Sequence, residues 1–293
     1  MIRSMAKRTV MIEAAINGNA MRGNPHIPYS PEEIADDAIA TTRAGAALIH
    51  FHVREPNTGN WVQDVPLYKE VYKRVRAVCR PLLWPTFPFE GTAEERFSHF
   101  VALAKEPATK PDLGAGDMGS VNLAAYDPRT KKLRGENFVY QNSFATCRYF
   151  LETSRELGLR PTLQIFEPGF LLAALVFLDM GILTEPLLLK FYFGGEESHF
   201  GLPPTIKSLE AYLAMIKDVR CNWFAATLGG DNLPLIPAIV SLGGHVRVGL
   251  EDYQYNRAGR LSNPQIVERA AATIRAMGHE VASIEQSREI LEV

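Results

Sequence analysis

The stretch AALIHFHVRE, residues 46–55, combines a β-strand pattern with two histidines separated by one residue. Because side chains alternate between the two faces of a strand, His50 and His52 point to one side, and Phe51 and Val53 point to the other. Two imidazoles on one face of a buried strand are half of a metal site. The alternative is a pair of core histidines, although each buried imidazole then needs its own hydrogen-bond partners.

This stretch lies within a regular alternation of strand and helix patterns. Strands are predicted over 9–16, 46–55, 81–86, 112–116, 161–166, 187–193, 222–227 and 245–250, and helices over 31–44, 66–79, 93–105, 143–157, 169–180, 206–218, 234–242 and 264–277. Eight such units predict parallel pairing and a closed (β/α)8 TIM barrel. The barrel is expected to form a single domain over residues 1–293, with a short helical tail at 284–291. The turn after the first strand has no GxGxxG motif, which argues against an open doubly wound sheet.

Two local features refine this prediction. Ser30, Pro31 and Glu33 form a helix-start pattern in which the serine caps, the proline occupies the first turn and the glutamate closes a capping box. Gly45 is expected to end that helix. Residues 126–137 are predicted to be a longer polar connection between the fourth strand and the next helix.

Composition excludes several function classes. The formal net charge is −2 over 293 residues, so no basic field indicates binding to nucleic acid. No apolar run approaches the roughly 20 residues of a membrane helix, and residues 1–8 lack the apolar core of a secretory signal. Cys79, Cys147 and Cys221 are far apart and form no CxxC motif. They are predicted to be reduced core thiols of a cytoplasmic protein.

The last predicted strand supplies a candidate third metal ligand. Side chains two positions apart on a strand point to the same face. Arg247 and Glu251, with Gly249 between them, are therefore predicted to face the same side. In a closed barrel the eighth strand neighbours the first, which neighbours the second, so Glu251 can reach the two histidines. Two imidazoles and one carboxylate are a usual ligand set of catalytic zinc. An interior salt bridge between Glu251 and Arg247 is the alternative.

Arg247 and Asp252 suggest a catalytic dyad beside this metal. A guanidinium stabilises negative charge, and a neighbouring carboxylate accepts a proton or holds the arginine. Such a pair next to a Lewis acid suits a reaction that creates an enolate. A plain ion pair at the barrel rim is the alternative.

The chain resembles the β-keto acid cleavage enzymes, typified by 3-keto-5-aminohexanoate cleavage enzyme. The resemblance covers nearly the whole chain and rests on the HxHxR pattern at 50–54, the RxGxED pattern at 247–252, PDLGAGDMGSVNL at 111–123 and PTLQIFEPG at 161–169. It implies a zinc-dependent TIM barrel, usually a homotetramer. Such an enzyme transfers the CoA of acetyl-CoA onto the larger part of a β-keto acid and releases acetoacetate.

The resemblance also implies roles for individual residues. His50, His52 and Glu251 would hold the zinc, Arg247 and Asp252 would form the dyad that starts the reaction, and Thr86 would lie near the substrate carboxylate. The further substrate-binding candidates at the strand ends are Asn17, Asp117 and Gln164.

The chain departs from the family pattern where the founding substrate's amine would bind. Ala20 and Gln164 stand where the family has glutamates, and Asp117 stands where it has an asparagine. Aromatic residues add bulk nearby, at Trp84, Phe87, Phe89 and Phe166. We therefore expect a neutral or apolar acyl group, unless Asp117 or Glu13 replaces the lost charge partner.

Other functions remain open at this point. A metal-dependent barrel hydrolase of the amidohydrolase type would use Lys190 and His199 as further ligands. A barrel acyl-CoA lyase would also use a HxH metal site but would act without acetyl-CoA. Loss of the family carboxylates also fits a catalytically silent relative. The glycine pairs 194–195 and 229–230 either admit the CoA pyrophosphate or make tight turns.

Overall fold

A computed structural model describes residues 7–18, 23–127, 129–256 and 259–293. Within these ranges, eight parallel strands form the main sheet and helices alternate with them. The strands are β1 (Ile12–Ala15), β2 (Leu48–Phe51), β3 (Leu82–Pro85), β4 (Leu113–Asp117), β5 (Arg160–Ile165), β6 (Leu187–Gly194), β7 (Cys221–Leu228) and β8 (His245–Val248). The helices are α1 (Pro31–Ala44), α2 (Val65–Arg76), α3 (Ala93–Leu103), α4 (Phe144–Glu156), α5 (Pro168–Asp179), α6 (Ile206–Met215), α7 (Ile236–Ser241), α8 (Asn263–Ala276) and α9 (Ile284–Leu291).

The sheet curls into a nearly closed barrel. Its strand order is β3-β2-β1-β8-β7-β6-β5-β4, so β3 and β4 meet at a seam. Asp112, just before β4, bridges this seam: its N–H donates to the Leu83 carbonyl oxygen at 2.9 Å, and its Oδ2 accepts from the Leu83 N–H at 2.9 Å. The same carboxylate pairs with Arg76 and Arg288, which tie α2 and α9 to the seam. The predicted (β/α)8 TIM barrel is confirmed.

Local signals at the start of α1 act as the sequence predicts. The Ser30 side chain accepts a hydrogen bond from the Glu33 N–H, and the Glu33 carboxylate accepts one from the Ser30 N–H. Pro31 occupies the first turn, and Gly45 ends the helix with a φ of +124°. Such a positive φ favours glycine because it has no Cβ.

Some predicted segments differ from the structure. The strand expected over 46–55 is confined to Leu48–Phe51. The strand expected over 9–16 is interrupted at Met11, whose N–H donates to His245 Nδ1 at 3.1 Å. Residues Thr9–Val10 pair instead with Glu280–Val281. The sequence analysis also missed two antiparallel pairs. The connection at 126–137 forms one of them, Ala125–Asp127 with Lys132–Arg134, and the other flanks it, Val121–Asn122 with Val139–Tyr140.

The core fills the layer between the sheet and the helices. Phe191 of β6 stacks on Tyr212 of α6 with ring centroids 4.7 Å apart, and both residues are fully buried. This packing leaves the carboxyl ends of the strands and the loops after them to form the functional face. Among the described helices, none combines the length and apolar character needed to cross a membrane.

Candidate metal centre and active site

Three ligand atoms converge at the carboxyl end of the barrel. His50 Nε2 and His52 Nε2 lie 3.2 Å apart, and Glu251 Oε2 lies 3.3 Å from the first and 3.4 Å from the second. Within the described chain these residues form the group of histidine, cysteine and acidic side chains that can hold a metal ion. The juxtaposition that the sequence predicted for this trio is therefore present.

Strand β2 and the end of β1 position the two imidazoles. His50 Nδ1 lies 3.2 Å from the Trp84 carbonyl oxygen of β3, which suits donation from Nδ1 and leaves Nε2 as the ligand atom. His52 lies just past the end of β2, and Asn17 holds its backbone. The Asn17 Nδ2 donates to the His52 carbonyl at 2.8 Å, and its Oδ1 accepts from the His52 N–H at 2.9 Å.

Glu251 reaches the histidines from a turn and not from an extended strand. Strand β8 ends at Val248, and Gly249 follows with a φ of +143°. A Cβ at Gly249 would collide with the Ala15 backbone, so the close approach of this turn to β1 requires glycine. The Glu251 N–H then donates to the Ala15 carbonyl at 3.1 Å. Glu251 lies on the side of the barrel that the sequence predicted. The alternation of side chains along a strand, which gave that prediction, does not apply at Glu251 because β8 ends at Val248.

Burial and charge prepare these groups for metal ligation. Burial lowers the pKa of His50 to about 4, against the opposing attraction of Glu251, so this imidazole is neutral near pH 7. Burial acts to raise the pKa of Glu251, but His50, His52 and Arg247 outweigh it and hold that pKa well below its usual range. Neutral imidazole and ionised carboxylate are the protonation states that bind zinc.

The donor set fits a divalent metal. Glu251 Oε2 is buried and accepts no hydrogen bond from the described residues, although it faces both histidine Nε2 atoms. Ligand atoms bound at about 2.0–2.1 Å to a tetrahedral zinc lie about 3.3 Å apart, which matches the spacing of these three atoms. The two nitrogens and one oxygen suit zinc better than the all-oxygen sites of calcium or magnesium.

Arg247 joins the Glu251 carboxylate to two further acids. It donates from Nη2 to Glu251 Oε1 at 3.1 Å and holds Asp252 through Nε and Nη2 at 3.1 and 2.9 Å. Its Nη1 donates to Glu13 Oε1 at 2.9 Å. Glu251 thus combines the two alternatives of the sequence analysis, since one of its oxygens faces the histidines and the other pairs with Arg247. Burial raises the pKa of Asp252 to about 6, against the opposing effect of Arg247.

A second buried ion pair, between Glu13 and Lys190, lies behind this cluster. Lys190 Nζ lies 2.5 Å from Glu13 Oε2, and both side chains are almost completely inaccessible to solvent. Burial lowers the pKa of Lys190 to about 8, although Glu13 opposes the shift. The sequence analysis named both residues as candidates for the site but missed their pairing. Opposite charges on inward-facing strand positions were the available signal.

Trp84 lies between Lys190 and His50. The Lys190 ammonium lies 3.6 Å from the centroid of an indole ring, and the His50 ring centroid lies 3.9 Å from that of Trp84. The indole therefore makes a cation–π contact on a buried ammonium and packs against a candidate metal ligand.

A small cavity of about 130 Å³ opens beside the three ligand atoms. Three of the predicted substrate residues line it, namely Thr86, Asp117 and Gln164. Gln164 also donates to Thr162 Oγ1 at 2.8 Å and accepts from the Gly116 N–H. Asn17 is fully buried and its amide binds backbone atoms, so it supports His52 and the structure gives it no place in the cavity lining. Ala20 lies outside the described residues.

Five aromatic residues and a carboxylate besides that of Glu251 line this cavity. Its aromatic residues are Trp84, Phe87, Phe89, Phe166 and Tyr192. Burial raises the pKa of Asp117 to about 6, and the hydrogen bond from Tyr140 opposes that shift. Tyr140 belongs to the antiparallel pairs after β4 that the sequence analysis did not predict.

An outer cavity of about 360 Å³ adjoins the inner one and shares His52, Phe89, Leu228 and Glu251 with it. The glycines beside it pack backbone against backbone: a Cβ at Gly195 would lie 2.6 Å from the Gly230 nitrogen. This close backbone packing requires glycine at these positions, which supports the interpretation of the two glycine pairs as parts of tight turns. His199 packs edge-on against Tyr126 and is not part of the metal cluster.

Comparison with known proteins gives a consistent result. The family described as beta-keto acid cleavage enzyme matches residues 9–293. A 3-dehydrocarnitine:acetyl-CoA trimethylamine transferase of Rhizobium meliloti is 29% identical over 307 residues, which cover 98% of this chain and 97% of that protein. A 3-keto-5-aminohexanoate cleavage enzyme of Fusobacterium nucleatum is 27% identical over 288 residues, covering 96% and 97%. The predicted resemblance is confirmed.

A solved structure supports the fold. The ternary complex of ObcA with a C4-CoA adduct and oxalate matches with a TM-score of 0.68 at 16% identity. The match covers 92% of this chain and 68% of that one. At this identity the likeness concerns the barrel architecture alone.

Proposed function

The chain belongs to the beta-keto acid cleavage enzyme family, and on that premise we propose that it exchanges acyl groups between a β-keto acid and acetyl-CoA. The C2 carbon of the β-keto acid forms a bond to the acetyl carbonyl carbon. The bond between the acetyl carbonyl carbon and the CoA sulfur breaks, the sulfur forms a bond to the C3 carbonyl carbon, and the C2–C3 bond breaks. The products are acetoacetate and a new acyl-CoA, so no oxidant or reductant is required.

The proposal includes one zinc ion per subunit, held by His50, His52 and Glu251. When bound, such an ion supplies Lewis acidity toward the keto and carboxylate oxygens of the substrate. The support is the convergence of two imidazole nitrogens and an otherwise unsatisfied carboxylate oxygen. Asn17 acts here as a positioning residue, because its amide holds the backbone of His52.

Arg247 and Asp252 form the catalytic pair in this proposal. Asp252 accepts the C2 proton at a carboxylate oxygen and later returns it to the carbon of the departing acetoacetate enolate. Its raised pKa makes it a stronger base than an exposed aspartate. Arg247 stabilises the enolate charge, first on the substrate and then on the departing acetoacetate. Glu13 and Asp252 bind three of its nitrogens in all, which fixes the guanidinium before substrate arrives.

The two cavities suggest how the substrates divide the site. The inner cavity of about 130 Å³ is smaller than the roughly 300–1,000 Å³ of typical ligand pockets, so it suits a short β-keto acid. Thr86 lines it and is the proposed partner of the substrate carboxylate. The outer cavity, with Arg134 and Tyr253 in its lining, offers an entrance for the acetyl thioester of acetyl-CoA.

One observation carries the proposal: Glu251 contacts the paired histidines through one oxygen and the Arg247 guanidinium through the other. The test incubates purified, zinc-loaded protein with acetyl-CoA and a panel of β-keto acids and measures acetoacetate. We expect acetoacetate only when both substrates are present. We expect Glu251→Ala to lose bound zinc and activity together, whereas Glu268→Ala on the exposed face of α8 retains both.

The same assay separates the alternative functions. A lyase of the acyl-CoA class would release product without acetyl-CoA, and that result would refute the acyl exchange. The amidohydrolase alternative needs Lys190 as a metal ligand, but its ammonium is engaged by Glu13. Zinc-loaded protein that yields no acetoacetate from any β-keto acid in the panel would refute the assignment of the reaction.

We also propose a homotetramer acting in the cytoplasm. Its support is an exposed apolar stripe along α5 and its C-cap, formed by Leu172, Val176 and Met180, which lie four residues apart and are 49–56% exposed. Light scattering should give four times the chain mass, and Val176→Lys should lower it. The free thiols of Cys79, Cys147 and Cys221 are compatible with a reducing compartment.

A further inference from the structure

The inner cavity has two chemically different ends. In the ring of strands, β4 lies opposite β8, with three strands between them on either side. Arg247 and the metal ligands occupy the side formed by β8 and β2, whereas Asp117 ends β4 and Gln164 is its partner on β5. A β-keto acid held by its keto and carboxylate oxygens at the first side therefore directs its variable end toward Asp117.

The Asp117 carboxylate lies at that end, and the described residues donate a hydrogen bond to one of its two oxygens. Its Oδ2 accepts from the Tyr140 hydroxyl at 2.5 Å, and that hydroxyl accepts from Arg96 Nη2 at 3.0 Å. Oδ1 accepts no hydrogen bond from the described residues. The guanidinium of Arg96 lies behind the tyrosine, where it favours the ionised form of Asp117 without bonding to it. Glu13, the other candidate charge partner, is occupied by Lys190 and Arg247.

Aromatic rings complete the surroundings of this carboxylate. Phe87, Phe89 and Phe166 line the cavity near the ends of β3 and β5, and Tyr140 packs edge-on against Phe89 at a centroid distance of 4.8 Å. Ring faces attract cations, most strongly when the cation is desolvated, and an anion within the cage adds to the attraction. A terminal carboxylate, in contrast, would meet Asp117 as a like charge.

The scarcity of acceptors favours an alkylated cation. A primary ammonium carries three N–H donors that each need an acceptor once buried. This end of the cavity offers the Asp117 Oδ1 atom, whereas Gln164 already has its amide engaged by Thr162 and Gly116. A quaternary ammonium needs no acceptor, only charge and ring contacts.

We propose that Asp117 and the aromatic residues around it select β-keto acids whose variable end carries a trimethylammonium or similarly alkylated ammonium group. This inference rests on the proposed function, because it names the substrate class of the same site. It replaces the neutral or apolar acyl group expected from the sequence.

The test compares a matched pair of substrates in the acetoacetate assay. One β-keto acid ends in a trimethylammonium group, and its isostere ends in a tert-butyl group of the same shape without charge. We expect kcat/KM to favour the cation by about 10- to 100-fold, the discrimination typical of a buried partner left unpaired. A third substrate with a terminal carboxylate should react more slowly than either.

Variants then test whether Asp117 is the source of the preference for the cationic substrate. Asp117→Asn should lower kcat/KM for the cationic substrate more than for the tert-butyl substrate, so that the preference for the cation disappears. Asp179→Asn, on the exposed end of α5, is the matched control and should change nothing. Equal or better turnover of the tert-butyl substrate by the natural protein would overturn the inference, whether or not the variant folds.

The two proposals fail in different ways. If acetoacetate forms but the cation is not preferred, the acyl exchange stands and the substrate class is wrong. If neither substrate gives acetoacetate, calorimetric binding of the same pair to the zinc-loaded protein decides the substrate class. Preferential binding of the cation would support it, and equal or weaker binding of the cation would overturn it.

Discussion

Replacing Glu13 by glutamine tests the buried charge network that supports the site. Glu13 is fully buried and is the acid that contacts Lys190, at 2.5 Å, while it also accepts from Arg247 at 2.9 Å. Glutamine keeps the shape but removes the charge, so Lys190 becomes a buried ammonium without an acid in contact. Removing one partner of a buried ion pair costs about 3–5 kcal/mol.

The expected loss of stability is measurable in a thermal or denaturant melt. For a protein of this size, 1 kcal/mol corresponds to roughly 2–4 °C, so Glu13→Gln should lower Tm by about 10 °C. Lys190→Met is the matched control, because it leaves Glu13 paired with Arg247 and fills the space with an apolar chain. It should cost about 1–2 kcal/mol, which is clearly less than Glu13→Gln.

The pH dependence gives a second signature. Burial already lowers the pKa of Lys190 to about 8 from its ordinary value, and Glu13 opposes that shift. Without Glu13 the pKa falls further, so the folded variant loses this proton at a lower pH than the natural protein does. Stability rises with pH where the unfolded chain binds more protons, so the deficit of Glu13→Gln should shrink between pH 7 and pH 9.

Activity should change as well, because Arg247 Nη1 loses its anchor while Asp252 still holds the rest of the guanidinium. We expect kcat to fall about 10-fold for Glu13→Gln, with the zinc content unchanged. A Glu13→Gln variant within 1 kcal/mol of the natural protein, or one less affected than Lys190→Met, would refute this account of the network.

Three further changes test other parts of the structure. Asn17→Ala removes the amide that holds the His52 backbone and should weaken zinc binding about 10- to 100-fold in a chelator competition, whereas unchanged affinity would contradict a positioning role. Asp112→Asn should destabilise the protein by about 2–4 kcal/mol in urea, because two arginines lose their acid at the seam; a loss below 1 kcal/mol would argue against it. Ser30→Ala should cost about 1 kcal/mol, as expected for an N-cap, and Ser98→Ala on the exposed face of α3 should cost less.

Local sequence patterns predicted the barrel well because their physical causes are local. The capping box at Ser30 and Glu33 involves residues three positions apart, and the shared face of His50 and His52 follows from strand alternation alone. The strand–helix alternation then fixes the order of the units. The approach of Glu251 to the histidines was predictable because a closed barrel makes β8, β1 and β2 neighbours.

Features that depend on long-range pairing were missed. Glu13 and Lys190 are 177 residues apart and meet only across the barrel interior, so no periodicity indicates their contact. The role of Asn17 depends on a backbone segment 35 residues away. Tyr140 reaches Asp117 through short strands within a polar segment, where turn residues outnumber apolar ones and strand propensity is weak.

The stacked position of Trp84 has a practical consequence. Indole emission responds to charges and ring contacts at its faces, and this indole has a buried ammonium at 3.6 Å and a candidate ligand imidazole at 3.9 Å. The chain thus carries an intrinsic optical reporter beside the candidate metal centre. Titrating the metal-free protein with zinc while recording fluorescence, with Trp84→Phe as the blank, would follow loading without any added label.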